Sequence, residues 1–303
     1  MTLPRRVFVT GATGYIGRRL VMRLITEPVD VFGVVRRRSG TLPEIESGDL
    51  AEFDGWHRLL RPGDHVVHAA GVAHGLIRTR QRQTFEDNPI EGVRRLIAGA
   101  ERTGGVSITF LSSAAVYGVL PPGSVVDERA QLLGDSPYAR GKQHVEAMIS
   151  EFATRGAVGY SLRIPMVYGP DAPGNFRRMV KAVRLNLPIP IPEADLERSC
   201  IYIENLCDAV ATLLRSSAPA AAYNVADTER TTVAALVEML GAAMGRETRR
   251  APRQAVRFAM RLPLIGGILR PLSQALSLDI SAFQSATAWV PPHSQSRGVL
   301  ESV

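Results

Sequence analysis

Cysteine is nearly absent: Cys200 and Cys207 are the only two in 303 residues. So few cannot build a disulfide framework, and their seven-residue spacing with no histidine nearby offers no metal site. No stretch approaches the ~18 uninterrupted apolar residues a membrane span needs. The start, MTLPRRVFVTG, runs straight into a strand-like apolar run, so no signal peptide is expected. The expectation is a reducing, cytoplasmic compartment. Internal repeats and low-complexity tracts are missing as well. What remains is an ordinary globular composition, 45% apolar and 21% charged, long enough for a large α/β core with a smaller appendage.

Charge is unbalanced: 36 basic against 29 acidic residues give a net +7, with a pI near 9.9. The basic residues are scattered and carry no nucleic-acid motif, so no nucleic-acid partner is expected. A polyanionic small substrate such as a sugar nucleotide accounts for the excess equally well. Residues 251–276 alternate Arg253, Arg257, Arg261 and Arg270 with apolar residues, a pattern that fits an anionic membrane surface. A helix and turn packed on the body with solvated arginines is expected there, rather than peripheral membrane contact.

Residues 5–165 alternate short β-branched runs (6–10, 29–35, 64–70, 107–113, 159–165) with amphipathic segments (15–26, 84–102, 136–155). Such alternation predicts βαβ units, hence a parallel sheet with helices on both faces. Beyond 165 the regularity fades into turns and prolines, and helix returns at 203–217. The expected division is a dinucleotide-binding domain over 1–165, rejoined by segments near 199–227. A smaller substrate-binding lobe takes 166–198 and 228–303.

The stretch VFVTGATGYIGRRL places Gly11, Gly14 and Gly17 after a strand and at the opening of a helix. The first allows a tight turn, the second a close approach of pyrophosphate to backbone, the third close packing of helix on strand. Phosphates then meet free N–H groups at the helix start. An acidic residue ~20 positions further on would suit the ribose of NAD. Here the second strand runs instead into Arg36, Arg37 and Arg38, and a guanidinium there suits a 2′-phosphate. NADP is therefore favoured over NAD. Asp49 is placed to accept from an adenine amino group, and Ala69, Ala70 and Gly71 of HAAG would line the cofactor.

The strand SITFLSS ends in Ser113, and SPYARGK follows with Tyr138 and, one helical turn on, Lys142. A free tyrosine titrates near 10, and a neighbouring ammonium favours its phenolate. Tyr138 could then transfer a proton at a carbonyl or alcohol while a nicotinamide exchanges hydride, with Ser113 orienting the reacting oxygen and Lys142 also holding the nicotinamide ribose.

At these residues the chain resembles the extended short-chain dehydrogenase/reductase family, of the NAD-dependent epimerase/dehydratase type. TGATGYIG, GDL, HAAG, LSSAAVYG and SPYARGK stand in the family's order, and LRIPMVYGP, RSCIYIENLCDAV, YNVAD and LDIS…WVPPHS extend the likeness over nearly the whole chain. The resemblance implies a Rossmann-type doubly wound parallel sheet with a smaller C-terminal substrate-binding lobe. It also implies a catalytic trio of Ser113, Tyr138 and Lys142, and cofactor contacts from Thr13, Tyr15, Ile16, Leu50 and Pro165 besides the residues above. Asn175 and Arg198 would touch the nucleoside diphosphate of a nucleotide-sugar substrate. Within the family it looks most like nucleotide-sugar 4-epimerases and 4-keto-hexose reductases of polysaccharide pathways, with reductase favoured because Arg36 suits an exchangeable NADPH. Dimers are common in the family, so a homodimer is expected.

Three departures stand out. Pro89 occupies the place of a frequent asparagine, with Asn88 one residue earlier. Met166 replaces an asparagine that can touch substrate. Ser113-Ala114-Ala115 lacks the Thr-Asp-Glu run of the 4,6-dehydratases, so no acid is at hand to protonate a leaving hydroxyl. Two alternatives stay open: a reductase of a small apolar ketone or steroid-like alcohol, which Met166 favours, and a non-catalytic dinucleotide-binding regulator, which an intact Ser-Tyr-Lys set disfavours.

Overall fold

In β1 (Arg6–Thr10), Val7 and Val9 face one side of the sheet and Phe8 the other, and all three are fully buried. A strand covered on both faces must be apolar throughout, and that is why this run does not alternate. The computed structural model describes residues 3–40, 43–71, 82–191, 196–262, 269 and 274–303, apart from the side chains of 82–88.

Seven parallel strands form the main sheet. In spatial order they are β3 (Glu44–Glu46), β2 (Asp30–Val35), β1, β4 (His65–His68), β5 (Ser107–Ser113), β7 (Val158–Ile164) and β10 (Ala222–Asn224). Chain order reverses between β1 and β4, the switch point outside whose strand ends ligands bind in open α/β sheets. On one face lie α1 (Tyr15–Leu24) and α6 (Ile203–Arg215), clamped together by Arg19–Glu204 at 2.9 Å and Arg23–Asp208 at 3.0 Å. Opposite them, α2 (Trp56–Leu59), α3 (Arg82–Thr103) and α4 (Pro137–Thr154) cover a second core built on Phe8, Trp56, Leu96, Ile108 and Phe152.

The five predicted strands and the helices over 15–26, 84–102, 136–155 and 203–217 are all present, each trimmed or extended by a few residues at its ends. The short strands β3 and β10 were not anticipated. Pro165 separates β7 from β8 (Met166–Tyr168), and there the chain leaves the main sheet. A three-stranded sheet follows, in the order β11 (Arg230–Thr232), β9 (Glu197–Tyr202), β8. Thus α6 and β10 rejoin the main layer, while β9 pairs in the small sheet. A two-stranded sheet joins β6 (Val125–Val126) to β12 (Ser277–Leu278), and α5 (Asn175–Arg184), α7 (Val233–Ala243), α8 (Arg253–Ala259), α9 (Ser281–Thr287) and α10 (Gln295–Leu300) complete the chain.

Of the basic stretch 251–276, α8 buries Val256 and leaves Arg253, Arg257 and Phe258 exposed; Arg270 lies outside the described residues. Among the described residues, no helix is long and apolar enough to cross a membrane. Cys200 and Cys207 are free, buried thiols, and burial pushes Cys200 up to about 12.

Candidate active site

Two turns meet at the switch point. After β1, Gly11 adopts φ +67°, and a Cβ there would lie 2.8 Å from the Ala70 Cα. The turn after β4 therefore packs backbone against backbone on the glycine turn. Thr10 ties the two together: its hydroxyl accepts from the Ala70 N–H at 3.2 Å and pairs with His68 Nδ1 at 3.0 Å. Gly14 is the N-cap of α1 with no side-chain cap, and no acidic residue stands in the first turn. The first N–H groups of this helix are thus available to an anion. Gly17 packs so tightly that a Cβ would come within 2.2 Å of the Gly11 carbonyl oxygen, whereas one on Gly14 would meet only that oxygen, at 3.1 Å. This glycine cradle with its uncapped helix start fits the diphosphate of a dinucleotide.

Thr13 and Gly14 are exposed at the turn, with Tyr15 and Ile16 half-buried. A Cβ on Gly169, at the end of β8, would reach 2.9 Å from the Tyr15 hydroxyl, so Tyr15 spans from the cradle to the second layer. Burial raises its phenol well above the usual range, with Arg19 working against that. Arg36, Arg37 and Arg38 are exposed directly after β2. Asp49 is half-buried and takes the Ala51 N–H on Oδ1 at 3.0 Å. Leu50 packs on the second core.

The catalytic candidates converge because α4 begins where it does. Ser136 caps it, accepting from the Ala139 N–H at 3.1 Å, and Pro137 takes the first helical position. A proline there loses no helix bond and pre-sets φ. Tyr138 therefore stands in the first turn with Lys142 one turn on. Ser113 ends β5; its hydroxyl shares a hydrogen bond with the Tyr138 phenol and accepts from the Ala115 N–H at 3.2 Å. Gln143 fixes the connecting loop by donating to the Val116 and Gly134 carbonyls at 3.0 and 2.9 Å.

Lys142 Nζ donates to the Leu111 carbonyl at 2.7 Å and sits 4.4 Å from the centroid of the Phe110 ring. A Cβ on Gly71 would lie 3.9 Å from it, so the HAAG turn and Lys142 face one space. Burial lowers Lys142 to about 8, against the pull of Glu146. Burial also raises Tyr138 above its ordinary value, with the Ser113 hydrogen bond opposing. The lysine stands over the tyrosine ring, 5.9 Å from its centroid. Its hydrogen bond goes to the strand carbonyl. His68, lowered by burial and then by Lys142 to about 3, is a neutral neighbour.

Asn175 and Arg198 lie in the other layer. Asn175 opens α5 and accepts from Arg178 Nη1 at 2.8 Å. Arg198 is a strand residue inside β9, only 6% exposed, and so not a loop charge. Met166 is half-buried beside it, paired with Cys200. Pro165 is buried at the crossing between the layers. Pro89 sits inside α3, and the Asn88 side chain lies outside the described residues. Among the described residues no cluster of His, Cys, Asp or Glu could hold a metal.

Thr10 and Gln143 brace the site, and Ser112, Glu146 and Arg163 meet behind Lys142, none with a role expected from the sequence, whereas His68 opens the HAAG run expected to line the cofactor. Glu146 alone left a signal, one helical turn beyond the lysine.

A parallel sheet with a dinucleotide-type glycine turn at its switch point defines a Rossmann-type fold. The profile of the NAD dependent epimerase/dehydratase family matches residues 7–226, and the chain belongs to that family. It is 25% identical to a UDP-glucose 4-epimerase of Vibrio cholerae, over 98% of this chain and 94% of that one. It is likewise 25% identical to a dTDP-6-deoxy-L-talose 4-dehydrogenase (NAD(P)(+)) of Kitasatospora kifunensis, over 99% and 95%. Among solved structures it resembles the UDP-glucose 4-epimerase of Thermus thermophilus in complex with NAD, with a TM-score of 0.80 at 23% identity, covering 98% of this chain and 97% of that one.

Proposed function

We propose that the chain is an oxidoreductase working at C4 of a nucleotide-linked sugar, as a 4-keto-sugar reductase drawing on NADPH. The observation that carries this reading is the meeting of Ser113, Tyr138 and Lys142 beside the glycine cradle. When bound, the dinucleotide supplies the hydride donor. Ser113 holds the substrate oxygen by hydrogen bond, and Tyr138 gives it a proton as the alkoxide forms. Lys142 keeps positive charge over the tyrosine ring, favouring the phenolate that proton donation leaves behind. Asn175 and Arg198 hold the nucleoside diphosphate from the second layer, and Arg36 with its neighbours takes the 2′-phosphate of NADP. A cytoplasmic setting, where nucleotide sugars and NADPH are at hand, and a homodimer belong to the same reading.

A second reading, 4-epimerisation with a retained dinucleotide, has support from the epimerase relative and structure described above. One experiment separates them. With a nucleoside-diphospho-4-keto-6-deoxyhexose, a reductase consumes NADPH stoichiometrically, followed by its absorbance. With UDP-glucose, an epimerase forms UDP-galactose with no net absorbance change. Neither outcome, together with turnover of small ketones, would return the reading to an apolar-ketone reductase.

A further inference from the structure

Tyr138, Lys142 and Glu146 follow one another at four-residue intervals and so share one face of α4. Glu146 is only 7% exposed, yet both its oxygens are engaged. It takes the Ser112 hydroxyl in a short hydrogen bond. From Arg163 it takes Nε at 3.0 and 3.2 Å and Nη2 at 2.7 Å. Ser112 and Arg163 are direct partners across β5 and β7, so the carboxylate grips a rung of the sheet next to the one that ends in Ser113.

The grip reaches further. Arg163 Nη1 donates to the Tyr117 hydroxyl at 3.0 Å and the Glu128 carbonyl at 3.1 Å. Tyr117 donates to Asn224 Oδ1 at 2.7 Å, and Asn224 Nδ2 donates to the Val126 and Asp279 carbonyls, both at 3.1 Å. A polar line thus runs from beneath the active site to the β6–β12 sheet. Well-packed apolar residues commonly match or exceed such a buried ion pair in stability, so its placement one turn from Lys142 asks for a role beyond holding the fold.

Resting on the reading of Tyr138 and Lys142 given above, we propose that Glu146 is a positioning residue. It keeps Lys142 an ammonium over Tyr138 and fixes the Ser112–Ser113 strand end against α4. Among the described residues, the titratable groups facing Lys142 are Tyr138 and Glu146 from α4 and His68 from β4; β5 offers it the Phe110 ring and the Leu111 carbonyl. Glu146 is the one negative charge in that set. Burial drives the lysine toward its neutral form, and the carboxylate opposes this.

The chain contains only two lysines, Lys142 and Lys181, so labelling lysine with a carbon isotope at Cε gives two NMR signals, assigned through Lys181→Arg. In Glu146→Gln the Lys142 titration midpoint is expected to move down by about one pH unit, with kcat reduced more than KM. Glu146→Asp is expected to restore most of the midpoint, and Ser112→Ala to leave it in place while lowering kcat. Should Glu146→Gln fail to fold, the Glu146→Gln/Arg163→Gln double variant strands no charge, and a downward movement smaller than in Glu146→Gln is expected, because the Arg163 cation leaves with the carboxylate. A folded variant without the carboxylate whose Lys142 titrates as in the parent protein overturns the proposal. The signal is read without substrate, so a wrong substrate assignment leaves this test intact.

Discussion

The two halves of the site are made of opposite materials. Around Gly11, Gly14 and Gly17 the work is done by backbone: a Cβ would collide at Gly11 and Gly17, Gly14 leaves room at the turn, and the helix offers its own N–H groups. Around α4 the work is done by side chains from several elements, half-buried or buried and tied by hydrogen bonds to strand ends. A backbone site depends on local geometry and tolerates little change in residue size. A side-chain site depends on long-range packing and tolerates little change in chemistry.

That contrast is sharpened most by Tyr138→Phe. The ring still fills its place, so folding and dinucleotide binding should persist while turnover drops by about 10²- to 10⁴-fold in a steady-state assay. Loss of fold in this variant would break the comparison. Gly17→Ala tests the other half: with 2.2 Å from its Cβ to the Gly11 carbonyl oxygen, about 3 kcal/mol of stability should be lost in denaturant titration. Gly14→Ala should unfold near the parent midpoint but bind dinucleotide more weakly.

Acid should act on the side-chain half. Burial holds His65 and His68 near 3, neutral in the fold, while in the unfolded chain they titrate near 6.5. The unfolded state then binds more protons as pH falls below 6.5, so stability is present above that value and declines toward 3. At pH 5 the loss is about 2 kcal/mol per histidine. Asp227 opposes it: burial lifts its carboxyl to about 6 despite hydrogen bonds from Asn205, Tyr168 and the Tyr202 N–H. Its protonation favours the fold at low pH by about 1 kcal/mol at pH 5. Thermal unfolding from pH 8 to 5 should therefore show a falling Tm, with a steeper fall in Asp227→Asn. The smallest effect is expected at Arg36→Ala: about tenfold weaker NADP and almost unchanged NAD, measured by fluorescence titration.

Legibility in the sequence followed the same divide. Glycine spacing after an apolar strand announces a backbone site, because the constraint lies within one strand-turn-helix unit. Ser136-Pro137 similarly announces where α4 starts. The short strands β3 and β10 carry too few residues to show a period, and they exist because β2 and β7 offer them edges. Arg198 is expected from its motif to touch a nucleoside diphosphate, but its burial inside a strand is not legible beside a proline-rich stretch, because it comes from the pairing of β11 with β9. The pairing of Glu146 with Arg163 joins residues 17 apart through the sheet, and no local pattern records it.

Lys142 has a consequence for reagents rather than for turnover. An amine held near 8 carries ~250-fold more free base at neutral pH than a lysine at its ordinary value. Lys181, exposed on α5, is the chain's other lysine. Acylating probes therefore meet one nucleophile beside the Tyr138 ring and one on α5, and the ratio of their labelling becomes a footprint of what covers that ring.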